Sequence, residues 1–185
     1  GRCRIEEAAH DVTAACVGHF DPEADRPHLF LIPSSVNTGE IARILREGYD
    51  IGRLNDGLQQ LVRALRLDYL LIDTHPGVNE ETLLSIAISD MLLLVMRPDS
   101  QDFQGTAVTA ELARMLDVRD MAIVLNKVPV GTDLELLREQ VEWAYNAPVM
   151  AMMPLSSEMA QLASSGLFAL RYPEHPLTRA VMGIA

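Results

Sequence analysis

Residues 70–77 read LLIDTHPG, in which an apolar run passes directly into an aspartate and then into a turn containing proline and glycine. Such a run, bounded by turn signals, predicts a strand buried on both faces, here residues 68–72. An acid at the carboxyl end of such a strand lies where open parallel sheets bind ligands. In phosphate-binding sheets it typically holds Mg²⁺ through water, because Mg²⁺ prefers oxygen ligands and dehydrates reluctantly. Asp73 is therefore a candidate magnesium residue, although many α/β proteins end a buried strand in aspartate with no metal nearby.

The loop after Asp73 has two further residues of interest. Gly77 would let the backbone approach a phosphate closely, because glycine has no side chain in the way. His75 could indicate metal or acid–base chemistry, but the sequence has no second His or Cys at ligand spacing, so an ordinary turn residue is the favoured interpretation. No G-x-S-x-G or Cys/His arrangement supports a nucleophilic hydrolase.

A second candidate site follows two later apolar runs. The run VL ends in Asn126 and Lys127, and an amide side chain offers both a donor and an acceptor, which suits the edge of a purine base. On this residue alone, an Asn that caps the next turn is the favoured interpretation. Pro154 and Leu155, followed by two serines, could line a base pocket or simply precede a helix, since serine is a good N-cap either way.

Apolar periodicity predicts elements that would position both sites. Helices are expected at residues 5–17, around 41–45, and at 52–65, 80–88, 103–116, 134–145, 157–165 and 176–184; strands are expected at 28–33, 68–72, 91–96, 121–127 and 149–153. Apolar strands separated by helices predict right-handed βαβ units, and hence a parallel sheet with helices on both faces. Residues 1–185 are predicted to form a single α/β domain.

Composition narrows the class of protein. The 185 residues are 49% hydrophobic and 22% charged, which is typical of a globular chain, and the formal net charge of -11 argues against nonspecific nucleic-acid binding. Five arginines between residues 43 and 66 are interpreted as solvated helix faces rather than a binding patch. Cys3 and Cys16 have no ligand spacing, which favours a reducing, cytosolic compartment. The sequence contains no run of 18 apolar residues, so it predicts no membrane-spanning helix.

Together these motifs resemble the MinD/ParA family of deviant-Walker P-loop ATPases, from about Leu29 to Ala185. The resemblance rests on LLIDTHPG, on Ser89-Asp90 before the run MLLLVM, on RPDSQDFQG at residues 97–105, on VLNK at 124–127, and on Pro154 with Gly166. It implies that Asp73 belongs to the Walker B and switch II region and helps to place Mg²⁺. It further implies roles for two groups of residues: Thr74, Pro76 and Gly77 as the loop sensing the γ-phosphate, and Asn126, Lys127, Pro154 and Leu155 as the border of the adenine.

One part of the family pattern is missing from the sequence. A phosphate-binding loop needs glycines and a lysine, yet no such loop precedes Leu29, and Lys127 is the only lysine. In the family, the strand before that loop lies beside the Asp73 strand in the middle of the sheet. We therefore expect a carboxyl-terminal portion, with on the order of 50–70 residues upstream of Gly1. Another copy or a pairing partner is expected to cover the gap, because unpaired backbone groups in a core are costly.

The resemblance implies an ATP-dependent switch protein that dimerises and positions cell-division or DNA-partition machinery. ATP and Mg²⁺ would be the cofactors of the intact protein, whereas this chain alone is expected to bind neither and to be inactive. A regulatory protein partner is implied, in the cytoplasm or peripheral to membrane or nucleoid, although residues 177–185 carry one basic residue and make a poor membrane anchor. The alternative is a noncatalytic scaffold of the same fold. A redox enzyme is a weaker option, because no G-x-G-x-x-G fingerprint is present.

Overall fold

A computed structural model describes residues 5–16, 28–34, 51–75 and 77–184. The chain divides between Ile72 and Asp73 into two units, which are described separately below. The organisation of residues 1–185 as a single domain stays a prediction. The helix expected around residues 41–45 lies outside the described residues.

The described part of the first unit includes a long helix, α1 (Ile51–Leu65), with Leu61 buried. The helix expected at 5–17 is wrong: two 3₁₀ turns (Ile5–Ala8 and Thr13–Cys16) flank a short strand, β1 (His10–Asp11), which pairs antiparallel with β2 (Phe30–Leu31). The Asp11 carboxylate accepts a hydrogen bond from the Thr13 amide at 2.9 Å. Local side-chain bonds of this kind compete with helical backbone bonds, which accounts for the break.

The strand expected at 68–72 is also wrong, since residues 69–75 form no strand. Leu71 is 91% exposed and Tyr69 is 86% exposed, so this apolar run is not a buried element here. A strand exists only where its backbone groups have a partner, and no described strand pairs with this segment. The apolar pattern indicates a tendency to form a strand, but it does not show whether an adjacent strand is present to pair with it.

The second unit is built on a three-stranded parallel sheet in the order β3-β4-β5. The strands are β3 (Met91–Met96), β4 (Asp120–Val128) and β5 (Val149–Pro154). The helices are α2 (Glu80–Ile88), α3 (Ser100–Met115), α4 (Leu134–Tyr145), α5 (Ser157–Leu162), α6 (Phe168–Arg171) and α7 (Pro176–Met182). The α/β class with a parallel sheet flanked by helices is confirmed, with three parallel strands in place of the five expected.

The main core lies between one face of this sheet and helices α3 and α4. Leu94, Ile123 and Leu125 from the strands pack there with Ala110 of α3 and Val141 of α4. All five are buried. Along β3, buried residues alternate with exposed ones, as expected of a strand with one covered face. On the opposite face of β3, Val95 is 59% exposed.

A smaller apolar cluster covers part of the second face, next to β5. Leu162, Phe168 and Leu177, one from each of α5, α6 and α7, pack together with Met153 of β5. The register shifts between Ile123 and Val124, because Ile123 pairs with Val149 while Val124 pairs with Ala151. The extra residue in β5 changes which side chains face each side of the sheet, as a β-bulge does.

Tyr145 ties α4 to α3 across the main core. Its hydroxyl donates a 2.7 Å hydrogen bond to the carbonyl of Phe103, and the two rings lie 5.9 Å apart. The Arg114 guanidinium in turn donates to the carbonyl of Tyr145. Burial raises the pKa of the Tyr145 hydroxyl, so the neutral, hydrogen-bonding form is favoured.

Replacing Tyr145 with Phe should lower the free energy of unfolding by about 1–2 kcal/mol, because the substitution removes one buried hydrogen bond while keeping the ring. Urea unfolding followed by circular dichroism measures the change. Tyr172→Phe is the matched control, because the Tyr172 ring packs on Phe168 while its hydroxyl makes no hydrogen bond to the part of the chain described. Equal losses in the two variants would show that the Tyr145 hydroxyl bond does not stabilise the α3–α4 contact.

Candidate functional site

The carboxyl ends of β3, β4 and β5 lie at one edge of the sheet, as parallel strands require. Val128 pairs with Pro154, and the Leu155 amide donates to the Val128 carbonyl at 3.0 Å. The four residues expected to border a base (Asn126, Lys127, Pro154 and Leu155) therefore lie on neighbouring strand ends. The structure brings this group together as the sequence interpretation requires, and its role stays a prediction. In open α/β sheets this edge is the usual place for a ligand.

Lys127 has an unusual backbone conformation at this edge. Its φ is +55°, in the left-handed region that side-chain-bearing residues rarely adopt, and the ladder to β5 is irregular between Leu125 and Val128. Asn126 beside it is half-buried, whereas Lys127 is exposed. Strained backbone of this kind persists only where surrounding structure holds it, and it occurs preferentially at binding sites. The bulge re-aims the two side chains relative to a regular strand.

An ion pair at the end of β3 was not assigned a role from the sequence. The Arg97 guanidinium donates to both carboxylate oxygens of Asp102, at 3.1 and 3.0 Å, and the Arg97 amide donates to the same carboxylate at 2.8 Å. Asp99 lies 3.3 Å from the guanidinium and caps α3 by accepting from the amides of Gln101 and Asp102. The sequence signal for this arrangement is a polar turn with one acid at the helix N-cap, Asp99, and a second acid three residues later, Asp102.

The hydrogen bond and charge of Asp102 raise the pKa of Arg97, and the hydrogen bonds from Arg97 lower the pKa of the Asp102 carboxyl. The positive charge of Lys127 contributes in the same direction to the pKa of Asp102. The ends of β3 and β4 are thus linked electrostatically. Both members of the ion pair remain partly exposed, so water screens the interaction.

Ser156 and Ser157 follow β5 and are engaged within the protein. The Ser156 hydroxyl accepts from the Met159 amide at 3.1 Å, which makes it the N-cap of α5. Both serine hydroxyls donate to the Glu158 carboxylate, at 2.9 and 3.1 Å. The pKa of Glu158 is lowered by its own backbone amide and by these two hydroxyls. The capping interpretation of this segment is confirmed.

Asp73, Thr74 and His75 are exposed in a segment without regular structure, and Pro76 lies outside the described residues. Gly77 has φ +100°, a conformation that favours glycine, and nothing lies within 4 Å of the position its Cβ would occupy. Across the described ranges no three His, Cys, Asp or Glu side chains are grouped to hold a metal. The assignment of Mg²⁺ to Asp73 therefore rests on a single carboxylate and stays a prediction.

The chemistry of the residues at the strand ends can be compared with what a nucleotide requires. Asn126 offers an amide for a base edge, and Pro154 with Leu155 offers apolar surface next to it. For the triphosphate, the 185-residue sequence contains no phosphate-binding loop, and Lys127 is its only lysine. These residues have the chemistry that a base site needs, and the 185 residues contain no phosphate-binding loop, so no hydrolytic step is derived from this chain.

A cavity of about 260 Å³ lies at the other end of the sheet. It is lined at the start of β4 by Asp120 and Met121, and at the end of α3 by Arg114. Arg114 already donates to the carbonyl that ends α4. This cavity therefore lies away from the strand ends where ligands bind in open parallel sheets, and we do not assign the nucleotide to it.

Comparison with known proteins identifies which proteins share this fold. No protein-family model matches the chain. Two uncharacterized ATP-binding proteins of Methanocaldococcus jannaschii are similar in sequence: one is 28% identical over 162 residues (85% of this chain, 57% of the relative), the other 24% identical over 131 residues (69% and 49%). The chain thus spans about half the length of these relatives.

Three solved structures match more broadly in shape. They are the MinC:MinD cell division protein complex of Aquifex aeolicus (TM-score 0.75, 16% identity, 100% of this chain and 67% of that one), the septum site-determining protein MinD with Mg-ADP from Pyrococcus horikoshii (0.69, 15%, 98% and 67%), and a ParA family ATPase from Chlorobium tepidum (0.67, 19%, 84% and 62%). At these identities the likeness is one of fold, and the MinD/ParA-like P-loop fold expected from the motifs is confirmed.

One further finding concerns membranes. In the part of the chain that the structure describes, no helix combines the length and the apolar character needed to cross a bilayer.

The Asp102–Arg97 pair should make stability depend on pH in acid. Because the pKa of Asp102 is lowered from 3.8 in the folded state, the stabilisation it provides is complete above that value and is lost as pH falls through the folded pKa. Asp102→Asn should therefore be less stable than the wild type at pH 7, and the gap should close below about pH 4. Urea unfolding at a series of pH values measures both.

Asp90→Asn is the control for this experiment, since Asp90 is exposed and has no ion pair with any described residue. It should leave the unfolding free energy nearly unchanged at pH 7. A gap for Asp102→Asn that stays constant from pH 7 to pH 3 would contradict the ion-pair account.

Proposed function

We propose that this chain is the base-binding portion of an ATP-dependent switch protein of the MinD/ParA class. The observation that carries the proposal is the convergence of Asn126, Lys127, Pro154 and Leu155 at the carboxyl edge of a parallel sheet with that fold. The two similar sequences belong to proteins named for ATP binding, which supports ATP over other nucleotides.

In this proposal Asn126 reads the edge of the adenine while Pro154 and Leu155 cover its face. Asn126 is half-buried at the end of a rigid strand, so its amide loses little freedom on binding. Lys127, whose backbone is left-handed, is exposed beside it, and its charge contributes to the lowered pKa of the Asp102 carboxyl. Polar groups held in this way discriminate between bases, because a wrong base leaves them unpaired.

The phosphate end of the nucleotide would be bound by Asp73 and the loop after it. Asp73 would hold Mg²⁺ through water, and Thr74, Pro76 and Gly77 would respond to the γ-phosphate. The bound Mg²⁺ would neutralise charge on the phosphates. Residues 69–75 are exposed and form no strand here, so this role would require the segment to change conformation or to gain a neighbouring strand. The chain alone is proposed to be inactive, because the residues that would promote hydrolysis are not among its 185.

A pairing partner or second copy is proposed to supply a strand at the free edge of β3. Among the described residues β3 pairs with β4 alone, so its other edge is unpaired. Met91, Leu93 and Val95, whose side chains lie on one face of the same strand, are partly exposed. An unpaired, apolar strand edge is a template for strand addition. Dimerisation and a regulatory protein partner, as in the MinC:MinD complex of Aquifex aeolicus, are part of the same proposal.

The proposed place of action is the cytoplasm, peripheral to the membrane or nucleoid, in the positioning of cell-division or partition machinery. The alternative is a noncatalytic scaffold of the same fold. A native protein that begins near Gly1 would favour that alternative, because a scaffold needs no phosphate-binding loop. The mass of the native gene product distinguishes the two: a polypeptide several kilodaltons heavier on the amino-terminal side favours the switch.

Asn126→Ala should weaken binding of a fluorescent ATP analogue to the native gene product about tenfold, and it should reduce the preference for ATP over GTP. Equilibrium titration in the presence of Mg²⁺ measures both quantities. The control is Asn55→Ala, a change on α1 that lies far from the strand ends in sequence and outside the second unit.

Wild-type binding that Asn126→Ala does not weaken would contradict the assignment of the base site. Sedimentation equilibrium of residues 1–185 alone tests the pairing proposal separately. A monomer with no associated chain at micromolar concentration would contradict it.

A further inference from the structure

The outer face of α4, defined here by Leu136, Glu139, Gln140 and Trp143, is unusual for a helix that already has a buried face. Leu137, Val141 and Tyr145 on the inner side are buried against the sheet. The spacing of 3, 4 and 7 residues puts the outer four on one stripe. A helix that packs against the protein on one face only should be polar on its outer face, yet Trp143 is 87% exposed and Leu136 is 52% exposed.

Trp143 is the only tryptophan in the sequence. Tryptophan carries the largest apolar side chain and is enriched in the centres of protein interfaces, while isolated exposed tryptophans on a folded surface are uncommon. Leu136 lies two turns before it, about 10 Å along the helix axis. The two side chains could therefore contact one partner helix laid along α4.

The charge on this face is negative. Glu139 lies between the two apolar residues, and no ion pair of its carboxylate occurs among the residues that the structure describes. The neighbouring cation, Arg138, is turned to the opposite side, where it donates to the Val149 carbonyl and pairs with Glu142 at 3.6 Å. The first turn of the helix adds Glu135, and the chain as a whole has a net charge of -11.

We propose that the outer face of α4 is a docking surface for a basic amphipathic helix of another protein. Its apolar side would cover Leu136 and Trp143, and its Lys or Arg side chains would pair with Glu139 and lie over the indole ring. A second copy of this chain is the less suitable occupant, because a two-fold arrangement would bring two Glu139 carboxylates together. This proposal stands on α4 alone and does not depend on nucleotide binding.

The test uses Trp143 as the reporter, read as the difference in emission between the native gene product and its Trp143→Phe variant. An 18-residue amphipathic helix of Leu and Lys is titrated into the native gene product, and its counterpart with Glu in place of Lys serves as the charge control. The basic peptide should shift the tryptophan emission to shorter wavelength and reduce acrylamide quenching, because it removes the indole from water. The acidic peptide should do neither.

Two pairs of variants assign the effect to this face, with binding followed by the anisotropy of labelled peptide. Glu139→Lys should weaken binding of the basic peptide about tenfold, as expected when a close charge pair becomes a repulsion, and Trp143→Ser by a similar factor. The matched controls lie on the exposed side of α3: Glu111→Lys and Met115→Ser, the latter at a methionine that is 73% exposed. Each should change the affinity by less than twofold.

All four substitutions are at exposed positions and should keep the wild-type circular dichroism spectrum, which separates lost binding from lost folding. Three outcomes would overturn the proposal. The acidic peptide binds as well as the basic one, Glu139→Lys and Glu111→Lys have equal effects, or the emission shifts with protein concentration in the absence of peptide. The last would identify a second copy as the occupant.

Discussion

The parallel ladder of β3, β4 and β5 is the constraint on which the rest of the second unit depends. Backbone groups removed from water must be paired. β3 pairs with β4 in continuous register, from Met91 opposite Asp120 to Met96 opposite Leu125, and β4 pairs with β5 with two register shifts. The ladder fixes which side chains face α3 and α4, and it places the ends of all three strands at one edge. The proposed base site exists because this edge exists. Segments without a partner, such as residues 69–75, do not form strands however apolar they are.

Two contacts adapt this framework to a binding edge. Tyr145 and Phe103 join α4 to α3, and both helices pack on one face of the sheet. At the edge itself, Arg97 with Asp102 fixes the turn after β3, and the bulge before Val128 gives Lys127 its left-handed backbone. The positive charge of Lys127 makes a minor contribution to the lowered pKa of Asp102, whose main cause is the hydrogen bonding to Arg97. Adenine binding would use this side of the sheet, whereas the phosphate side would depend on residues 69–75, which form no regular structure here.

The sequence predicted much of the second unit because its elements are local or fully buried. The apolar run of β3 and the inner stripe of α4 give unambiguous periods, and both elements are found within a residue or two of the expected bounds. The absence of a strand at 68–72 was not predictable, because a strand depends on a neighbour that the sequence pattern does not report. The grouping of Asn126 with Pro154 follows from strand order and was expected. The φ of Lys127 was not, because lysine gives no signal for a left-handed conformation.

The most direct test of the central claim is hydrogen–deuterium exchange of the native gene product with and without a non-hydrolysable ATP analogue and Mg²⁺. The account predicts slower exchange at the ends of β4 and β5, in residues 124–128 and 153–157, together with new protection in residues 70–77. Protection confined to the start of β4 and the end of α3, around the cavity at the opposite end of the sheet, would contradict it. So would an exchange pattern that the analogue leaves unchanged.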